Sequence, residues 1–242
     1  MTVLGGGGLL VLVDPARTGG AEAAEVAGAA RAAGARGVLI GSSFDGAAQT
    51  HVVAQAMRAA VPGFPIALFP GSAMQLTDQV DLVLFLSLVS GRNAQYLIEE
   101  HVRAVPFFAR HPVATLSTAY LLIDGGRITS VEAVSQTRPL PADKPEIAAA
   151  HATAAKLIGM EALYLDAGSG AERPVPADVI RACRAAVPPP RPLFVGGGIR
   201  RAEQARAARA AGADFVVIGT VLEHGEGGGI ARELRAFVEA VR

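Results

Sequence analysis

The chain has 242 residues, 51% hydrophobic and 18% charged, which suits one large α/β domain or two small ones and excludes intrinsic disorder. Basic and acidic side chains balance at a formal net charge of zero, so no basic tract offers itself to nucleic acid and an anionic ligand has to be held by local groups. The single cysteine, Cys183, excludes an internal disulfide and a thiolate zinc site, and its helical spacing from Val179 and Ile180 marks a buried structural thiol.

The apolar run Leu9 to Val13, ended by Asp14-Pro15, is the first expected strand. The stretch before it lacks a basic leader and a cleavage-like site, so it does not read as a signal peptide. No segment approaches the ~20 apolar residues of a membrane span, and a cytoplasmic protein is expected. Alanine-rich Gly19 to Ala33 reads as a helix closing at Gly34, followed by strand Val38 to Ile40 and its polar end Gly41-Ser42-Ser43. Ala47 to Ala60 is a helix stopped by Pro62. Strands follow at Ile66 to Phe69 and at Leu82 to Leu86, the latter ending in Ser87. Arg92 to Arg110 reads as a long helical stretch, Val113 to Ile123 as a strand, and Ile128 to Val134 as a returning extension after the Gly125-Gly126 turn. Pro145 to Leu157 is a helix with proline in its first turn, where a missing N–H costs little. Strands Ala162 to Leu165, Leu193 to Val195 and Phe215 to Ile218 then alternate with helices Pro176 to Val187, Arg201 to Ala211 and Gly229 to Val241.

Eight strands with helices in most gaps fit a closed (β/α)₈ TIM barrel, since parallel neighbours need long crossovers. Gly71 to Asp81 is short and helix-poor, so the third helix is expected to be replaced by a loop. An open doubly wound sheet is the rival, disfavoured because no Gly-x-Gly-x-x-Gly follows the first strand. No linker composition breaks the chain, and residues 1–242 read as one domain.

In a barrel the C-terminal strand ends share one rim, and the last two loops often bind phosphate. Tyr164-Leu165-Asp166 runs into Ala167-Gly168-Ser169-Gly170, a fixed carboxylate followed by backbone that an anion can approach. Gly197 and Gly198 end the seventh strand, and Gly219-Thr220 the eighth. Their N–H groups and the following helix dipoles suit a dianion, although tight turns needing positive φ would use the same residues. Asp14 with Ser42 or Ser43 on the adjacent strand end offers oxygen ligands suited to Mg²⁺, against the plainer reading of Asp14 as an Asx turn before Pro15. His51, His101, His111, His151 and His224 show no paired ligand spacing and read as surface or core residues.

Phe85-Leu86-Ser87-Leu88, Arg92-Asn93, Pro141 to Ile147, Tyr164 to Ala171, Gly196 to Arg200 and Gly219-Thr220 together resemble the geranylgeranylglyceryl phosphate synthase family, in matching order from Asp14 to the eighth strand. The Gly-Thr ending is similar to its second subgroup. The resemblance implies a modified barrel without the third helix and Mg²⁺-dependent prenyl transfer from a polyprenyl diphosphate of the geranylgeranyl class to the 3-hydroxyl of sn-glycerol 1-phosphate. Carried over, Asp14 and Ser43 would bind Mg²⁺, and Gly168, Ser169, Gly170, Gly197, Gly198, Gly219 and Thr220 the acceptor phosphate, with Arg17 adding a cation. Tyr164 would contact the glycerol, Asp166 would be the base, and Arg92 would help neutralise the leaving diphosphate. Phe69, Phe85, Leu88, Tyr96 and Tyr120 are candidates for an apolar prenyl groove. A homodimer or larger assembly and a peripheral membrane contact through the lipid product are also implied.

Three positions depart from the family pattern. Asp166 stands where the family has glutamate, which retracts the base by ~1.5 Å. Arg17 replaces a lysine in Asp14-Pro15-Ala16-Arg17, and Leu88 to Asn93 lacks one asparagine. These departures leave the acceptor open: another three-carbon phosphate such as 3-phosphoglycerate is the runner-up, and a phosphate-binding barrel isomerase or synthase is a further class.

Overall fold

A computed structural model describes residues 3–219 and 229–242. Eight parallel strands close a barrel in sequence order: β1 (Gly8–Val13), β2 (Gly37–Ile40), β3 (Ile66–Leu68), β4 (Leu82–Leu88), β5 (Ala114–Leu122), β6 (Ala162–Asp166), β7 (Leu193–Gly196) and β8 (Phe215–Ile218). Their period-2 alternation divides the apolar residues into two cores. Leu10, Leu39, Leu84, Tyr164, Phe194 and Phe215 fill the interior. Leu9, Val11, Val38, Ile40, Leu163 and Leu165 point outward against the helices. The outer ring comprises α1 (Gly20–Ala33), α2 (Ala47–Ala60), α3 (Glu100–Phe108), α5 (Pro145–Leu157), α6 (Ala177–Ala186), α7 (Ala202–Ala210) and α8 (Ile230–Ala240), with a short α4 (Ser130–Ser135) inserted before α5. Gly34, at φ 88°, closes α1 by donating to the carbonyls of Ala30 and Arg31, a stop that its lack of a Cβ allows.

The barrel floor is aromatic. Phe69 stacks on Tyr164 at 4.6 Å between centroids, Tyr164 lies 5.9 Å from Phe194, and Phe194 lies 4.7 Å from Phe215. These large rings take the place of the branched aliphatics that usually fill such layers, and Tyr164 with the neighbouring Tyr120, 5.7 Å away between centroids, carries two phenol oxygens into the interior.

Between β3 and β4 the expected loop is present, with one 3₁₀ turn (Ala73–Gln75) as its only helical residues. Polar side chains secure it in place of helix packing. Arg58 of α2 donates to Asp81 at 3.0 Å and to the Gln79 carbonyl at 3.1 Å, while Asp81 accepts from the Ile66 amide at 2.9 Å.

Three sequence expectations need correction. Ile128 to Val134 is not an extension of the sheet but runs into α4; Val131 and Val134 are three residues apart, so both turn to the barrel mouth on one helical face, while Ile128 is exposed. The helical stretch expected from Arg92 starts later, with a wide π turn at Gln95–Glu99 leading into α3, because Asn93 caps it by accepting the Gln95 amide at 3.1 Å. Strand β4 runs through Ser87 to Leu88, which pairs with Tyr120.

Cys183 is fully buried on α6, and desolvation pushes its thiol up to about 12, which fits a structural rather than a nucleophilic cysteine. Among the described residues no helix is long and apolar enough to cross a membrane.

Candidate active site

Strand register sets the site. Tyr120, Tyr164 and Phe194 are level across β5, β6 and β7, and one pleat later Asp166 lies between Leu122 and Gly196. Asp166 therefore ends its strand pointing inward, above the aromatic floor and buried at 8% exposure. Its Oδ2 accepts from the Tyr120 hydroxyl at 2.7 Å, and its Oδ1 accepts from the Gly168 amide at 2.8 Å. Burial raises the Asp166 carboxyl above the ordinary carboxylate range, and the two donors oppose that rise by stabilising the anion. Both tyrosines are held well above the usual phenol value, first by burial and then by the neighbouring carboxylate, so they act as neutral hydrogen-bonding groups.

Glycines let the adjacent turn close over this carboxylate. A Cβ on Gly196 would meet the Tyr164 hydroxyl at 2.6 Å. Gly197, at φ 77°, packs directly on Asp166 Oδ1, and Gly198 also has a left-handed backbone at φ 68°. With no side chain at either position, the backbone of this turn lies open to a ligand in the space it faces.

The strand ends enclose a cavity of about 170 Å³. Asp14, Ser43, Asp166, Tyr164, Ser169, Gly170, Gly197, Gly198 and Gly219 all line it, so the predicted metal, base and phosphate groups face one space. Phe69, Phe85, Leu88, Tyr96 and Tyr120, the predicted groove residues, line the same cavity. Asp14 and Ser43 come from neighbouring strand ends, since β1 and β2 pair through Val13 and Ile40. Asp14 Oδ1 also accepts from the Ala16 amide at 2.9 Å, so the Asx turn expected before Pro15 is present.

Several assignments change. Gly168 does not line the cavity; its amide is spent on Asp166, whereas its neighbours Ser169 and Gly170 do line it. Arg92 turns back to donate to the Gly91 carbonyl at 2.7 Å and does not reach the cavity wall. Arg17 also lies outside that wall, with its Nε 3.8 Å from Asp14. Thr220 and His224 fall outside the described residues. Among the described residues Arg200 is the one arginine or lysine on the wall, donating to the Ala171 carbonyl at 3.0 Å beside the glycine turns. Of Arg17 and Arg200, the two cations the sequence offers for an acceptor carboxylate, only Arg200 lies on the wall. His101 also lines the cavity, edge-on to Phe85 at 4.5 Å, and burial lowers its basicity, while His51 and His111 flank Asp78 away from the cavity.

Tyr120 is more than groove lining, because it holds the carboxylate. Tyr120→Phe removes one donor to the ionised Asp166, a bond of the charge-assisted kind worth about 1.5–3 kcal/mol. The variant should fold, lose about tenfold or more in kcat/KM, and show its acid limb displaced to higher pH, because less remains to oppose the desolvation of the anion. Steady-state rates across pH would check this; an unmoved limb would count against the role.

The PcrB family profile matches residues 7–241. This chain belongs to the PcrB family. It is 38% identical over 234 residues to a geranylgeranylglyceryl phosphate synthase of Methanothrix thermoacetophila, covering 96% of this chain and 89% of that one. It is 46% identical over 159 residues to one from Spirosoma linguale, an alignment covering 66% of this chain and 63% of the relative. A crystal structure of (S)-3-O-geranylgeranylglyceryl phosphate synthase from Thermoplasma acidophilum, in complex with substrate sn-glycerol-1-phosphate, superposes with a TM-score of 0.90 at 29% identity, covering 100% of this chain and 98% of that one. The resemblance read from the sequence is borne out, and with it the barrel fold and the prenyltransferase class.

Proposed function

We propose that this PcrB-family protein transfers a polyprenyl group of the geranylgeranyl class from its diphosphate to the 3-hydroxyl of sn-glycerol 1-phosphate. The observation that carries this reading is a buried, doubly anchored carboxylate at one end of a cavity whose wall is largely apolar. A glycerol phosphate is the substrate of the Thermoplasma acidophilum relative, and the glycine turn of Gly197 and Gly198 beside Ser169, Gly170 and Arg200 suits its phosphate here. The acceptor oxygen bonds to the first prenyl carbon as that carbon's bond to the diphosphate oxygen breaks. Asp166 takes the hydroxyl proton, and diphosphate leaves. Tyr120 and the Gly168 amide keep Asp166 oriented and ionised for this step. Phe69, Phe85 and Leu88 exclude water from the allylic carbon.

Asp14 and Ser43 would hold Mg²⁺. A carboxylate and a hydroxyl are the hard oxygen donors that ion prefers. Among the described residues no cluster of three acidic, histidine or cysteine side chains competes for it, so substrate phosphate and water would complete the shell. When bound, the ion supplies charge neutralisation for the departing diphosphate.

The apolar wall argues against a barrel isomerase or synthase of small polar metabolites, which needs no lipid groove. Arg200 keeps a second acceptor in play, because a guanidinium on the wall also suits the carboxylate of 3-phosphoglycerate. Incubation with labelled geranylgeranyl diphosphate and each acceptor, with Mg²⁺ or with a chelator, separates the two. Labelled ether is expected with sn-glycerol 1-phosphate in Mg²⁺ only. Product from neither acceptor would sink prenyl transfer. Light scattering of the same sample would check the proposed homodimer or larger assembly.

A further inference from the structure

The sheet order puts the ends of β2 and β3 across the barrel from the β6 and β7 turns that face the acceptor. Past Ile40 and Phe69 the β2–β3 ladder stops, and no crossover helix follows β3 to brace the two loops. They nevertheless approach backbone to backbone: a Cβ on Gly71 would collide with the Ser42 carbonyl. One side chain bridges them. Gln75, in the 3₁₀ turn and only 3% exposed, donates through Nε2 to the Ser42 carbonyl at 3.0 Å and the Asp45 carbonyl at 2.9 Å. Its Oε1 accepts from the Gly71 amide at 2.7 Å. The bracketed segment contains Ser43, and Ser42, Ser43 and Gly71 all line the cavity.

We propose that Gln75 is a positioning residue for the diphosphate side of the site, fixing the Ser43 loop against the helix-less third crossover. This rests on the prenyl-transfer reading, which assigns that side to the prenyl diphosphate. The bond pattern demands a primary amide: two donors for two carbonyls and one acceptor for an amide, in one plane. Glutamate would set a carboxylate against two carbonyl oxygens, and an apolar side chain would leave buried groups unpaired. The crossover is tied from its other flank as well, where Glu100 Oε2 accepts the Ala73 amide at 2.7 Å. Gln75 differs from that tie in reaching the loop that carries Ser43.

The test is equilibrium binding of a non-reactive prenyl thiodiphosphate in Mg²⁺, beside binding of sn-glycerol 1-phosphate, by titration calorimetry on wild type, Gln75→Met and Gln75→Glu. Leaving the Ser42 and Asp45 carbonyls without their donor costs on the order of a lost hydrogen bond each, so the Ser43 loop loosens and the thiodiphosphate dissociation constant should rise at least about tenfold in both variants, with acceptor affinity within about twofold of wild type. A merely structural residue would weaken both ligands together, and that result overturns the proposal. Unchanged thiodiphosphate affinity overturns it too. If neither variant folds, hydrogen exchange on wild type decides: thiodiphosphate should slow residues 42–45 and 71–75 together while acceptor does not, and any other pattern rejects the clamp. Wild-type protein that binds the acceptor but no thiodiphosphate would defeat the prenyl-transfer reading itself, and the clamp with it.

Discussion

Asp166→Asn should lower kcat/KM by about 10²–10⁴-fold, the usual contribution of a positioned proton acceptor, in a protein that still folds. The amide is nearly isosteric with the carboxylate. Its oxygen can accept from Gly168, while its NH₂ donates to Tyr120 once that hydroxyl reverses, so neither buried partner is orphaned. Only the proton-accepting capacity disappears. Because burial lifts this carboxyl above its unfolded value, its protonated form is the one folding favours. The stability it contributes is full below the unfolded value and is lost as pH rises through the higher folded value. The asparagine variant should therefore melt no lower than wild type at pH 8, while the wild-type rate falls as pH drops through the raised carboxyl value. Calorimetry and rate–pH profiles measure both. An asparagine variant with wild-type turnover would remove Asp166 from the chemistry.

The surroundings of Asp166 show where sequence reading reached its limit. The barrel was legible because its strands are short apolar runs ended by Asp14, Ser42, Asp166 or glycine, and because period-2 burial leaves little freedom in which side chains face inward. The helix-poor third crossover was legible from composition alone. Hydrogen bonds between distant elements were not. Tyr120 reads as one more aromatic in an apolar strand, and only the β5–β6 register brings its hydroxyl to the carboxylate. Gly168 looks like an anion-binding glycine until its amide is found turned inward on Asp166. Arg92 lies in a family-like stretch, yet its direction depends on where the Asn93 cap starts the next helix, a boundary that propensity sets poorly. Val131 and Val134 have strand-like side chains, and tertiary placement over the cavity outweighed that preference.

Gly197→Ala tests the same carboxylate from the opposite side. The residue sits at φ 77°, where an L side chain is strained by roughly 1–2 kcal/mol. That cost alone is tolerable in a barrel of this size. The decisive factor is space: the new methyl would be driven onto Asp166 Oδ1 and would lie 2.6 Å from the backbone nitrogens of Ala167 and Gly168. Two of those three neighbours are backbone and cannot swing aside, so the β7 turn or the carboxylate must move. A shift of ~1 Å costs ~10²-fold in rate, and because the same turn lines the acceptor side, the acceptor KM should rise together with the fall in kcat. Gly159→Ala separates strain from collision. Gly159 has φ 95° with nothing within 4 Å of the point a methyl would occupy, after α5 and away from the cavity. That variant should lose about 1 kcal/mol of stability and no activity. Equal activities in the two variants would show that the close approach of Gly197 to Asp166 has no part in holding the base.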